Sequence, residues 1–74
     1  MATAVYLVSG LTCGHCVHAV TEEISSLDGV RGVEVDLVSG GESRVTVTSR
    51  APLARSVVRD AVDEAGYALA GVAG

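Results

Sequence analysis

The sequence predicts an α+β domain, a four-stranded antiparallel sheet with two helices packed on one of its faces. Three observations lead there. Hydrophobic spacing alternates between the period of a strand and that of a helix, in the order strand, helix, strand, strand, helix, strand. Two β-α-β halves meet at a glycine turn, Ser39-Gly40-Gly41. Each helical segment is apolar along one side only, so both helices need the same core.

The elements follow in order. Thr3 to Ser9 is rich in β-formers and stops at Gly10. Both of its faces carry apolar residues, so periodicity alone does not orient it. Residues 11–15 read as a loop. From Cys16 to Leu27, apolar residues recur at Val17, Val20, Ile24 and Leu27, one face of a helix. Asp28-Gly29 ends it, with Gly29 suited to a left-handed cap. Val33, Val35 and Leu37 alternate with Glu34 and Asp36, a strand with one buried face. Arg44 to Thr48 alternates again, so these two strands form a hairpin. Pro52 fits the first turn of a second helix. Leu53, Val57, Val58, Ala61 and Ala65 would line its inner side, and Gly66 would end it. Tyr67 to Val72 closes the sheet. With right-handed crossovers, the compact βαββαβ solution is the ferredoxin-like sandwich.

Composition narrows the function. The chain has 74 residues, enough for one domain spanning 1–74. The net charge is -4, there is no Lys, and the five Arg are scattered. An acidic surface without a basic stripe argues against nucleic acid or anionic membrane as a partner. No apolar run reaches the roughly 18 residues that span a bilayer. The first residues lack the layout of a signal peptide, so a cytoplasmic protein is expected.

The chemistry lies in Thr12-Cys13-Gly14-His15-Cys16, between strand one and helix one. Cys-x-x-Cys lets two sulfurs converge on one point as the intervening residues curl into a helical turn. The unpaired N–H groups and positive dipole of a helix start favour thiolate, the form that binds metal. Two thiolates are soft ligands that select Cu(I), which tolerates two or three donors, whereas Zn(II) asks for four. His15 and His18 are poor candidates for the missing pair. His18 lies two residues past Cys16, about 200° round a helix. A thiol–disulfide oxidoreductase is the rival reading of Cys-x-x-Cys. Thr12 stands where such sites usually carry an aromatic, and the sole proline, Pro52, is placed at a helix start.

Gly10-Leu11-Thr12-Cys13-Gly14-His15-Cys16 resembles the Gly-Met-Thr-Cys-x-x-Cys signature of the heavy-metal-associated domains. Leu27-Asp28-Gly29-Val30 and Glu64-Ala65-Gly66-Tyr67 resemble that family's later segments, so the likeness covers nearly the whole chain. The resemblance implies the same βαββαβ fold, with Tyr6 and Val8 facing the helices. It also implies that Leu11, in place of Met, packs beneath the metal loop, and that Tyr67 either covers that loop or anchors the end of helix two. Leu and Met have similar volumes, so the exchange is tolerated.

The site expected is therefore Cys13 and Cys16 as ligands, with His15, Tyr67, Leu11 and His18 around them. His15 could favour thiolate or be a solvated histidine, and His18 is expected on the exposed side of the helix. Glu22, Glu23, Asp60, Asp63 and Glu64 are expected on the wet sides of the helices. The expected function is a copper chaperone that passes Cu(I) by thiolate exchange to a copper-transporting P-type ATPase or a copper-responsive repressor. The alternative is a metal-binding module of such an ATPase. The apo chain is expected to be monomeric, and Cu(I) above one per chain would bridge two chains through the loop.

Overall fold

The computed structural model describes residues 1–12 and 14–73. Its elements are β1 (Ala2–Ser9), α1 (Gly14–Ser25), β2 (Val30–Asp36), β3 (Glu42–Ser49), α2 (Arg55–Glu64) and β4 (Ala68–Val72). The strands form one antiparallel sheet in the order β2-β3-β1-β4. This is the ferredoxin-like arrangement expected from the pattern.

Register explains the core. Tyr6 of β1 lies opposite Val45 of β3, and Val45 lies opposite Val35 of β2. One row further on, Val8 faces Ser43 on one side and Leu69 on the other. Side chains alternate along a strand, so Tyr6 and Val8 share a face with Val45 and Val47. That face meets Val20 and Ile24 of α1 and Val58, Ala61 and Val62 of α2 in a single cluster. Tyr6 and Val8 are buried, while Val5 and Leu7 on the opposite face are half-exposed. Burying each Val, Leu or Ile contributes about 1.5–3 kcal/mol, which a core without Phe or Trp must accumulate in small steps.

Local chemistry sets the helix ends. At the end of α1 the Leu27 N–H bonds to the Ile24 carbonyl at 3.1 Å, tightening the last turn, and Ser26 Oγ donates to the Glu23 carbonyl at 2.7 Å. Gly29 follows with φ 84°, the left-handed conformation for which glycine is suited. Leu27 itself lies past the helix but still packs on the core. Val17 is only half-buried, since the face that reaches the core runs through Cys16, Val20 and Ile24.

Several sequence expectations are corrected. Helix one starts at Gly14, so His15 belongs to its first turn and not to a loop. Helix two starts at Arg55, with Ala54 as N-cap, so Pro52 lies in the preceding segment and not in the first turn. Its inner face is Val58, Ala61 and Val62, followed by the C-cap Ala65; Val58, Ala61 and Ala65 are as expected, and Val62 takes the place of Val57. Val57 is 40% exposed, and Val62, which the pattern passed over, is fully buried. Leu53 precedes the helix and still reaches the core, so the helix need not keep it in phase. Leu37 falls beyond β2 and is 38% exposed. There Ser43 Oγ takes the Val38 N–H at 2.9 Å and holds the hairpin connection away from strand geometry. On the helices' outer sides Glu22, Asp60, Asp63 and Glu64 are exposed, and Glu23 is half-buried.

Candidate metal-binding loop

β1 delivers the chain to the site. Its last residue, Ser9, pairs with Glu42 and with Ala68. Gly10 then turns with φ 93°, a conformation other residues adopt only with strain. A side chain at Gly10 would also press on Tyr67, whose Cδ1 would stand 3.4 Å from the added Cβ. The ring of Tyr67 thus packs over the strand exit. Its own backbone N–H bonds to the Val62 carbonyl at 3.1 Å, anchoring it to the end of α2.

Leu11 is fully buried and belongs to the hydrophobic cluster. It pins the loop to the core from below, as the resemblance implies. Thr12 returns to the surface. Cys13, the first of the two expected ligands, lies outside the described residues. Cys16, the second, sits in the first turn of α1, half-buried against the cluster. Its Sγ is 3.8 Å from the Thr12 hydroxyl, a contact in which either atom can donate.

Thr12 is a neighbour of the candidate ligand that sequence reasoning did not single out. The signal was present: a hydroxyl four positions before Cys16 and just ahead of a helix is placed to reach back across the first turn. Once the sulfur is a thiolate, the hydroxyl can only donate, and a hydrogen bond to a charged acceptor is worth about 1.5–3 kcal/mol in a well-formed geometry.

The histidines separate. His15 is exposed on the first turn of α1. His18 is exposed one turn later, with Nε2 3.4 Å from Oε1 of Glu22 further along the helix. That partner draws the imidazole away from the helix start. Among the described residues no three of His, Cys, Asp and Glu gather to hold an ion.

A ferredoxin-like sandwich with a half-buried thiol at the start of its first helix and a buried leucine before it is an arrangement suited to a metal-binding domain. Comparison with known proteins agrees. The heavy-metal-associated domain model matches residues 5–68. The copper chaperone CopZ of Staphylococcus aureus is 36% identical over 67 residues, covering 90% of this chain and 96% of that protein. A solved CopZ metallochaperone superposes with TM-score 0.79 at 32% identity, covering 92% of this chain and 98% of that one. The N-terminal domain of PacS from Synechocystis PCC6803 superposes with TM-score 0.76 at 26% identity, with both chains covered fully, 100% and 100%. The chain belongs to the heavy-metal-associated domain family. It is a metal carrier rather than an enzyme.

Proposed function

We propose that this protein is a cytoplasmic copper chaperone in which Cys13 and Cys16 hold Cu(I) and pass it to a copper-transporting P-type ATPase. The observation that carries the reading is the placement of Cys16: on the first turn of α1, half-buried, with its sulfur beside the Thr12 hydroxyl. The 36% identity to the staphylococcal copper chaperone over 90% of the chain supports copper as the cargo. Two soft thiolates at a helix start suit a monovalent soft ion.

Transfer is ligand exchange without redox change. A thiol of the acceptor loses its proton and its sulfur attacks the two-coordinate ion. The three-coordinate bridge then releases one host thiolate; a second acceptor thiol loses its proton and its sulfur displaces the other host thiolate, and each released host sulfur takes up a proton from solvent. Leu11 keeps the loop seated throughout. The polar exterior of α1 leaves Cys16 near the surface without opening the core. A copper-responsive repressor is a second client of the same exchange. Above one Cu(I) per chain, the loop bridges two chains, because this chain has no third thiol to offer.

The test is an anaerobic Cu(I) titration read by native mass spectrometry against a strong chelator. One Cu(I) should be retained per wild-type chain and none by Cys13→Ser, Cys16→Ser. Retention by the double variant would sink the assignment. Ultracentrifugation at two Cu(I) per chain should show dimers.

The full coverage of the PacS N-terminal domain favours a second reading, the ATPase-borne module. Immunoblotting of the source cells separates the two. A chaperone migrates near the 7.5 kDa of this chain, and a module migrates as part of a much larger protein.

A further inference from the structure

At the end of the sheet opposite the cysteine loop, a partly enclosed cavity of about 210 Å3 opens between the start of β1, the end of β3 and the segment before α2. It lies well away from the metal loop. From Ala4 on its wall to Ser9, where β1 exits toward Cys16, the strand runs about 17 Å. Composition explains why it exists. The walls are Ala4, Val47, Pro52 and Leu53, and a chain with no Phe and no Trp has few side chains able to fill such a space. The late start of α2 adds to it, because Pro52 and Leu53 line the space as an irregular segment ahead of the helix.

Three polar residues line this apolar space, the exposed Thr3 and the buried Ser49 and Tyr6. Ser49 is 3% exposed, and its hydroxyl proton is already given to the Ala51 carbonyl at 2.7 Å. Tyr6 is 4% exposed, and its hydroxyl makes no hydrogen bond to any described residue. No buried polar side-chain atom among the described residues lacks a partner, so the Tyr6 hydroxyl must keep a small accessible area. The cavity that Tyr6 lines supplies it. A phenol almost wholly sunk in the core, with its donor turned to a half-closed apolar chamber, is a prepared hydrogen-bonding position.

We propose that this cavity is a second binding site, for a small uncharged ring or branched chain bearing one oxygen that pairs with the Tyr6 hydroxyl. The lining holds no Asp, Glu, His or Arg, so a charged ligand would be buried without a partner. Size sets the upper limit, since an apolar cavity of about 150 Å3 accommodates benzene. A phenol-sized molecule fits and a two-ring molecule does not. The site is independent of the copper reading, since none of its residues belongs to the metal loop.

The test is an amide-shift NMR titration of the apo protein with phenol, and with benzene as the hydroxyl-free control. Phenol should give saturable shifts at Ala4, Tyr6, Val47, Ser49 and Leu53, leaving Gly10 to Cys16 unmoved. Benzene should bind about tenfold more weakly, the loss of one hydrogen bond. Tyr6→Phe should erase that preference while keeping benzene affinity. Ala4→Leu, which fills the chamber, should abolish binding of both. Shifts that do not saturate would overturn the proposal. So would equal phenol and benzene affinities in the wild type, or a phenol preference that survives in Tyr6→Phe.

Discussion

The fold turns from strand to helix twice, and the two turns lie at opposite ends of the sheet, because β1 and β3 run antiparallel. The first, from Ser9 to Gly14, has a fully buried Leu11, a hydroxyl beside a sulfur and a helix that starts at once. The second, from Ser49 to Arg55, has a half-buried Leu53 and an N-cap, Ala54, that offers the helix no side-chain hydrogen bond. Its first helical residue is Arg55, a cation where the helix dipole favours anions. The same backbone device thus becomes a candidate site only where a thiol meets the helix start and a buried residue pins the loop. At the other end the device is loosely finished, and the loose finish leaves the Tyr6 cavity.

The sharpest way to break this comparison is at the thiols. Cys16→Ser should lower Cu(I) affinity by several orders of magnitude, measured by chelator competition. Thermal unfolding should shift little, since Cys16 is only half-buried at the rim of the core and serine nearly matches its size.

Next in size is the anchor. Leu11→Ala should cost about 3 kcal/mol, within the range for emptying a fully buried leucine, whereas Leu53→Ala at the second turn should cost about half as much. Urea melts of the two apo variants would show whether the first turn is the more firmly seated. Similar losses would mean that it is not.

Smaller effects should separate the turns by sign. Ala54→Ser supplies the missing cap and should raise stability by about 1 kcal/mol without touching Cu(I) affinity. Thr12→Val removes the hydroxyl beside Cys16 and should do the reverse. Stability should hardly change, and Cu(I) affinity should fall by up to about tenfold, the worth of one modest hydrogen bond. Smallest of all, His18→Gln should alter stability by less than about 0.5 kcal/mol. Its pairing with Glu22 is a solvent-exposed contact one turn apart. A His18→Gln loss of Cu(I) binding comparable to that of Cys16→Ser would place His18 in the site after all.

Much of this was readable from the residues. Periodicity placed all six elements, and turn chemistry at Gly29 and at Ser39-Gly40-Gly41 placed two of the breaks. Phase was harder. In α2 the pattern Leu53, Val57, Val58, Ala61 and Ala65 is as good a helical stripe as Val58, Ala61, Val62 and Ala65. Local spacing does not choose between them. The choice goes with where the helix starts: it begins at Arg55, after Leu53 has already packed on the core. Leu37 misled for a similar reason: alternation continued through it, but the hairpin connection held by Ser43 took it out of the ladder.

By itself the sequence determined the order of elements, the fold class and the chemistry of the loop, because hydrophobic period and ligand type are properties of neighbours along the chain. Only the tertiary structure decided that the Tyr67 ring rests over Gly10, that Val57 is left outside, and that Tyr6 opens onto a cavity. Each of these depends on residues far apart in sequence meeting at contact distance. Such meetings are fixed by how two helices share one sheet face, which no single stretch of the chain encodes.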